Sequence, residues 1–428
     1  MRKVLLSVTA AMLLALPGAA DAVRGQDFEQ APINYAKRTP NNAASRLFAD
    51  LEAGRKTLKF DEEFGYLPAL LDALRVPRSS QTLVFSKTSL QRSRIAPETP
   101  RALYFNDDVY IGYCQQGEVV EISATDDELG TVFYTLDQRE THVPLWTRQT
   151  DNCLTCHASS STNNVPGHLI RSVYSDVQGF PILSASSYRT DQTSPLEHRW
   201  GGWYVSGTHG AQKHLGNLVI RTHDEPEAVD NSAGQNVLDL SKLVDTERYL
   251  TPHSDLVALM VLEHQAPAHN RITHANFATR QALHYEAELN RELGEPAGKR
   301  WESTTSRIKS ACEPLVEYLL FCDETPLTER IAGSSRFAEE FAAPGPRDKR
   351  GRSLRELDLT KRMFRYPCSY LIYSSSFAAL PKEAKSYVYR RLHEILDGGD
   401  ESPKFRHLTP GDRRAVREIL RDTLPDFS

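Results

Sequence analysis

The 428-residue chain lacks a charge excess, a late hydrophobic segment and an internal repeat. Lys and Arg total 51 against 56 Asp and Glu, which gives a formal net charge of −5. This balance offers no electrostatic reason to expect a nucleic acid or an anionic membrane as a partner. Beyond the N-terminus, no continuous apolar run reaches the length that spans a bilayer. What remains is an ordinary globular composition in a chain long enough for two domains.

The N-terminus has the order of a secretory signal peptide. Residues 1–3 are a short basic start, and an apolar stretch runs from Val4 to Leu16, too short to cross a bilayer. A Pro-Gly pair ends this stretch, and residues 20–22 fit the small-x-small cleavage pattern. No cysteine follows that would take a lipid anchor. We therefore expect residues 1–22 to be a signal peptide, cleaved near Ala22, and the mature protein to be periplasmic.

Two kinds of pattern divide the remaining chain. Between Arg101 and Gln138, four β-rich segments alternate with turn signals, which predicts a small antiparallel sheet. From Ser254 onward the periodicity is helical, with an expected helix that ends at Pro267 and another over residues 274–293. The sequence therefore predicts an α+β fold, in which a small antiparallel sheet and a loop-rich region (residues 23–250) precede a mainly α-helical C-terminal half (residues 251–428).

Two of the six cysteines stand in the stretch "DNCLTCHASS", with a histidine directly after the second. Haem c is attached when two thiols add to the two vinyl groups on one edge of the porphyrin, and a two-residue gap presents both sulfurs to that edge. The next residue then lies under the iron, where histidine supplies the usual axial ligand. Random placement would give about 0.003 occurrences of this pattern in the chain. Cys153 and Cys156 are thus the predicted covalent anchors, and His157 is the predicted proximal iron ligand.

Three other interpretations of the motif stay open at this point. A zinc site would need a second ligand pair, and Cys114, Cys312, Cys322 and Cys368 form none at close spacing. A thioredoxin-like dithiol would begin a helix after a strand, whereas the residues after His157 are poor helix formers. A disulfide across only two residues would be strained. Export agrees with haem, because bacteria attach haem to cysteines outside the cytoplasm.

The motif resembles the attachment site of c-type cytochromes. The wider segment "CLTCHASS…VPGHLIRSVY…RWGGWYVSGTHGAQKH" resembles a group of large exported bacterial proteins that contain one cytochrome c motif, and the similarity extends from about Arg101 to about Leu396. This resemblance implies one covalently attached haem c with its iron. The chain departs from a small class I cytochrome c domain, because it lacks the helix-motif-helix layout and its next methionine is Met260.

The ligand on the far side of the iron decides between a carrier and a catalyst. His209 follows Trp200 and Trp203, whose flat rings are candidates for packing on a porphyrin, and the glycines among them permit close backbone approach. Met260 and His264 are four residues apart and share a helix face. We name His209, His264 and Met260 as candidate distal ligands. Further candidates are His168, His214 and His269.

The function that the sequence predicts is periplasmic electron transfer by an exported monohaem c-type cytochrome. Its partners would be periplasmic or membrane-bound redox proteins, with no nucleic acid and no part of the chain embedded in the membrane. A bare carrier needs far fewer than 400 residues, so a haem-dependent oxidoreductase of peroxidase or oxygenase type, with an open sixth position, is a second interpretation. A haem-bearing sensor or docking subunit of a larger complex is a third.

Overall fold

The described residues of the computed structural model are 27–221 and 225–427, so the predicted signal peptide lies outside them. Within these ranges the strands are β1 (Thr82–Val84), β2 (Arg101–Phe105), β3 (Val109–Tyr113), β4 (Val119–Asp126), β5 (Gly130–Asp137), β6 (Trp146–Gln149), β7 (Arg171–Val173), β8 (Ser187–Arg189), β9 (Trp203–Tyr204), β10 (Gly207–Thr208) and β11 (Ala332–Gly333). Seven of them form one antiparallel sheet in the order β6-β5-β4-β3-β2-β1-β9. Two small two-stranded antiparallel sheets, β7 with β8 and β10 with β11, lie outside it.

The α-helices are α1 (Ala43–Glu52), α2 (Leu67–Leu74), α3 (Leu154–His157), α4 (Leu256–Glu292), α5 (Glu302–Leu319), α6 (Phe337–Ala342), α7 (Ser375–Ala378), α8 (Lys382–Leu396) and α9 (Pro410–Thr423). The predicted α+β fold is confirmed, since a large antiparallel sheet is followed by mostly helical chain. No helix in the described ranges has both the length and the apolar character needed to cross a membrane.

One face of the sheet is covered by the first two helices. The alternation of Val132, Tyr134 and Leu136 along β5 places these side chains in a buried apolar cluster with residues of α1 and α2. Phe48 of α1 packs on Tyr134 at 5.4 Å between ring centroids and stacks on Trp146 of β6 at 4.5 Å. This packing fixes β5 and β6, and β6 leads directly to the Cys-x-x-Cys-His segment.

The opposite face of the same sheet meets the long helix α4. Register places Phe133, Ser123, Tyr110 and Phe105 in one row across β5, β4, β3 and β2. Gln265 of α4 reaches this row, where its Nε2 donates to the hydroxyl of Tyr110 at 2.7 Å. The row therefore lies between the sheet and α4, and its Phe133 end is next to α3.

The prediction that Pro267 ends a helix is wrong. A single helix continues from Leu256 through Pro267 to Glu292. An internal proline removes one backbone donor and costs about 3 kcal/mol. Burial of most residues from Leu256 to Ala282 offsets that cost, because almost every face of this segment packs against the rest of the protein.

Two apolar clusters make up most of the core, and each draws on both halves of the chain. The sheet cluster includes Phe277 of α4, whereas the helical cluster includes Phe105 and Tyr110 of the sheet together with Trp200. The predicted division at residues 250 and 251 stays a prediction. The sheet is larger than the small one expected, since β1, β6 and β9 extend it on both sides.

Candidate functional site

The Cys-x-x-Cys-His segment folds into one helical turn. Cys153 caps α3, and the backbone N–H of His157 donates to the carbonyl of Cys153 at 2.9 Å, which closes the turn. Leu154 packs into the buried apolar cluster on the sheet and so anchors the turn to the core. Cys156 is exposed and Cys153 half-buried, and neither is in a disulfide. The helix ends at His157, in agreement with the poor helix-forming residues that follow.

His157 is fixed by a reciprocal pair of hydrogen bonds to Gly167. Its Nδ1–H donates to the carbonyl of Gly167 at 3.0 Å, and the N–H of Gly167 donates to the carbonyl of His157 at 2.8 Å. A carbonyl only accepts, so the proton lies on Nδ1 and Nε2 keeps its lone pair. Burial lowers the pKa of His157, which also favours the neutral imidazole. This is the tautomer that ligates iron through Nε2.

Asn270 of α4 holds the loop that supplies the Gly167 carbonyl. Its Oδ1 accepts the backbone N–H of His168 at 2.9 Å, and its Nδ2 donates to the carbonyl of His168 at 2.7 Å. A Cβ at Gly167 would overlap Oδ1 of Asn270, so the close approach of helix and loop requires glycine there. The orientation of His157 thus depends on a residue 113 positions away in the sequence.

An ion pair on the sheet lies within electrostatic range of the motif. Arg101 and Glu121 approach to 2.5 Å, with side chains 17% and 16% exposed, and both influence the pKa values of Cys153 and His157. Gly112 lies opposite Glu121, and a Cβ there would overlap the Arg101 guanidinium, so glycine lets this side chain lie flat over the sheet. Burial raises the pKa of Cys153 to about 11. This environment is the opposite of that of a reactive dithiol, whose attacking cysteine has a lowered pKa.

His168 is linked to the motif through Phe133, whose ring contacts both His168 and His157. Its ring lies 3.9 Å from that of Tyr110 and 6.3 Å from that of Phe133, while Phe133 is 5.0 Å from His157. Its Nε2 is 2.9 Å from the hydroxyl of Ser123. His168 is among the candidates that the sequence offers, but nearby aromatic and glycine residues favour other histidines over it. The one sequence feature that points to His168 is the strand register, which places its three neighbours Phe133, Ser123 and Tyr110 in one row.

The three favoured distal candidates lie in other surroundings. His264 is fully buried, with Nδ1 2.6 Å from Gln192 Oε1 and Nε2 2.8 Å from Ser369 Oγ, so both ring nitrogens are engaged. His209 accepts the backbone N–H of Asn236 on Nε2 at 3.0 Å. Met260 is buried in the helical cluster. Across residues 27–221 and 225–427, no hydrogen bond or ring contact joins these three to residues 153–157, and their distal role stays a prediction.

Trp200 and Trp203 are core residues of the helical cluster. Trp200 is 1% exposed and its ring meets His214 at 5.3 Å. Trp203 belongs to β9, pairs with Val84 of β1, and donates from its indole to the carbonyl of Arg171 at 2.8 Å. Neither ring makes a described contact with the motif, so their packing on a porphyrin also stays a prediction.

Neither metal-binding geometry nor similarity to known proteins assigns a function to this site. The described part of the chain contains no group of three or more His, Cys, Asp or Glu side chains placed to hold a metal ion. Cys312 and Cys322 are both free and buried. No protein-family model, curated protein or solved structure matches the chain.

Proposed function

We propose that the chain is an exported c-type cytochrome that holds one haem through Cys153 and Cys156, with His157 as its proximal ligand, and transfers electrons in the periplasm. The observation that carries this proposal is the hydrogen bond from His157 Nδ1–H to the Gly167 carbonyl, in the same turn as two unbridged cysteines. A covalently bound haem would supply one-electron Fe(III)/Fe(II) chemistry.

The residues present fit this group at three points. The helical turn sets both thiols beside one another, with Cys156 open to solvent and Cys153 on the sheet side. His157 offers an unprotonated Nε2, and its Nδ1–H donates the outer hydrogen bond that orients a ligating imidazole. Neither Cys153 nor Cys156 is in a disulfide, so both thiols are free to form thioether bonds.

The absorption spectrum of protein matured in a haem-attaching host tests this function. A carrier has a low-spin spectrum in both oxidation states that does not change with carbon monoxide or peroxide. A high-spin spectrum that responds to either ligand would contradict electron transfer as the main role and support a haem-dependent oxidoreductase. His157→Ala should change the spectrum of attached haem, and His407→Ala, at a histidine far from the motif in the sequence, is the matched control.

The distal ligand can be assigned with the same spectra. His209→Ala, His264→Ala and His168→Ala each remove one imidazole, and only the true ligand should convert low-spin to high-spin haem. Loss of low spin with none of the three, together with its loss in Met260→Ala, would assign the methionine.

A further inference from the structure

Residues 171–189 form an antiparallel ribbon, the β7–β8 ribbon, whose connecting segment exposes three large apolar side chains. Val177 is 47% exposed, Phe180 48% and Leu183 93%. The segment has a fixed shape, since the N–H of Asp176 donates to the carbonyl of Phe180 at 3.0 Å and the N–H of Phe180 donates to the carboxylate of Asp176 at 2.9 Å. Apolar side chains clustered on an ordered surface mark a site of contact with a partner.

The base of the ribbon holds two arginines directly opposite each other. Register pairs Arg171 with Arg189 across β7 and β8, an arrangement in which like charges destabilise a strand pair. Arg171 donates to the hydroxyl of Ser187 at 3.0 Å, and Arg189 donates to the carbonyl of Ser160 at 3.4 Å. Among the described residues, neither guanidinium forms an ion pair with a carboxylate. The ribbon thus carries two cations that this part of the chain does not neutralise.

The other charged groups around the ribbon do not cancel these cations. Lys87 adds a third positive charge, with its Nζ 4.9 Å from the ring centroid of Phe180. The carboxylates of Asp176 and Glu227 accept backbone N–H groups of the ribbon. Asp191, just beyond β8, lies 3.9 Å from an arginine of α4. Three cations therefore face two carboxylates, a local positive excess in a chain whose formal net charge is −5.

The base of the ribbon touches the loop that follows the Cys-x-x-Cys-His turn. Arg189 donates to the carbonyl of Ser160 in this loop, and the hydroxyl of Ser159 donates to the carbonyl of Cys156 at 3.1 Å. Cys156 itself is exposed. A protein that binds the base of the ribbon would therefore lie beside the exposed side of the motif.

We propose that the β7–β8 ribbon docks an acidic redox-partner protein, whose carboxylates pair with Arg171 and Arg189 and whose apolar surface covers Phe180 and Leu183. The inference rests on the proposed function, since docking here brings the partner beside the haem-attachment turn. Arginines without a counter-charge select an acidic partner, and the apolar segment supplies a contact that excludes water. The extended chain from Arg171 to Asp176 spans about 17 Å, which fits within one partner's share of a weak interface, about 600 Å².

Two other occupants fit the charges less well. An apolar segment that entered an anionic membrane would carry the carboxylate of Asp176 with it, and the net charge of −5 opposes the approach. A second copy of this chain, related by two-fold symmetry about the ribbon, would set Arg171 and Arg189 near their own equivalents. An acidic protein satisfies the apolar part and the charged part together.

An NMR titration of isotope-labelled plastocyanin, a small copper protein with an acidic patch, with the full-length mature protein tests the inference. The acidic patch of this probe should show saturable shift changes at low salt that vanish near about 0.5 M NaCl. Arg171→Gln/Arg189→Gln should weaken binding about tenfold, and Leu183→Ser about threefold. The control Arg307→Gln/Lys309→Gln removes the same charge from exposed positions on α5 and should change the affinity less than about twofold.

Absence of saturable shift changes, or an affinity that Arg171→Gln/Arg189→Gln leaves unchanged, would overturn the inference. Binding of the wild type to phosphatidylglycerol vesicles that Leu183→Ser abolishes would overturn it too, because it assigns the ribbon to a membrane. A wild-type dimer that the same variant dissociates would assign the ribbon to a second copy, with the same consequence.

The same titration on the haem-free variant Cys153→Ser/Cys156→Ser separates this inference from the proposed function. This variant should bind the probe as the wild type does, because docking requires only the ribbon. Probe binding by a wild-type protein without covalent haem would refute the cytochrome alone, and covalent haem without ribbon-dependent binding would refute the docking surface alone. In haem-loaded protein, the second-order rate of electron transfer to the oxidised probe should fall about tenfold in Arg171→Gln/Arg189→Gln, and an unchanged rate would contradict docking of a redox partner here.

Discussion

The side chain of Asn270 makes two hydrogen bonds to the backbone of His168, accepting its N–H at 2.9 Å and donating to its carbonyl at 2.7 Å. The amide group of Asn270 offers one acceptor and one donor, as a neighbouring β-strand would, and so satisfies both backbone groups of His168 in the loop after the motif. Gly167 directly precedes His168 in the chain, so this contact also fixes the position of the Gly167 carbonyl, which orients His157.

Asn270→Ala should lower the free energy of unfolding by about 2–4 kcal/mol, because the N–H and carbonyl of His168 are left buried without partners. Asn270 is 3% exposed, so water does not replace the amide easily. Urea unfolding followed by circular dichroism measures the change. Asn270→Asp keeps the acceptor but sets a buried carboxylate oxygen against the carbonyl of His168, so it should destabilise the protein at least as much as alanine does. A change below about 0.5 kcal/mol in the alanine variant would contradict the role of these two hydrogen bonds.

Gly167→Ala should also destabilise the protein, by about 1–3 kcal/mol, because its Cβ meets Oδ1 of Asn270. In the Asn270→Ala background that oxygen is absent, so the same change should cost clearly less. A double-mutant cycle on unfolding free energies measures this coupling. Strict additivity would show that the two residues do not touch in the way described.

Native thiol labelling should divide the six cysteines in haem-free protein into two classes. Cys156 is exposed and Cys153 half-buried, whereas burial of Cys114, Cys312, Cys322 and Cys368 raises the pKa of each to about 12. Reaction requires an accessible thiolate.

A thiol reagent should therefore react fast with Cys156, more slowly with Cys153, and with the other four only in denaturant. Cys153→Ser/Cys156→Ser should remove the native reaction entirely, and haem attachment should remove it too. Fast labelling of any of the four buried cysteines, read by peptide mass spectrometry, would contradict the burial described.

Glu324 predicts a pH dependence of stability. Burial raises its pKa from 4.5 to about 7, although its Oε1 accepts the Met363 N–H at 2.8 Å. Between pH 4.5 and 7 the folded protein keeps a proton that the unfolded chain has lost, so the contribution of Glu324 to stability falls as pH rises through this window and is constant above it.

The loss amounts to up to about 3 kcal/mol in wild type. Glu324→Gln keeps the acceptor and removes the titration, so the variant should be more stable than wild type at pH 8 and lose its advantage near pH 4.5. Thermal unfolding across this range checks the prediction. Parallel profiles for the two proteins would assign the pH dependence elsewhere.

The sequence predicted those elements whose formation depends on residues close together in the chain, such as alternating strands and capped helices. Alternation along residues 131–136 gives β5. The start of α9 is equally local, since the Thr409 side chain accepts the backbone N–H of Asp412 and Pro410 occupies the first turn. The two-residue strand β9 and the three-residue β1 are too short for a periodic pattern, so the full width of the sheet was not predictable. Pro267 misled the prediction because tertiary burial of α4 outweighs the local cost.

The motif itself is local, and its spacing alone predicts the roles of Cys153, Cys156 and His157. Its support is not local. Asn270 and the Arg101–Glu121 pair reach the site through contacts between distant parts of the chain, and no sequence period announces such contacts. The distal candidates were ranked by nearby aromatic and glycine residues, a signal that does not report on which face of the core a histidine lies.

Covalent haem is the central claim, and intact mass spectrometry after denaturation tests it most directly. Wild-type protein matured in a haem-attaching host should keep the mass of one haem through acid and denaturant. Cys153→Ser/Cys156→Ser should have the mass of the polypeptide alone, and Cys322→Ala should retain the haem. A wild-type mass without haem under conditions in which a known c-type cytochrome is fully loaded would contradict the account.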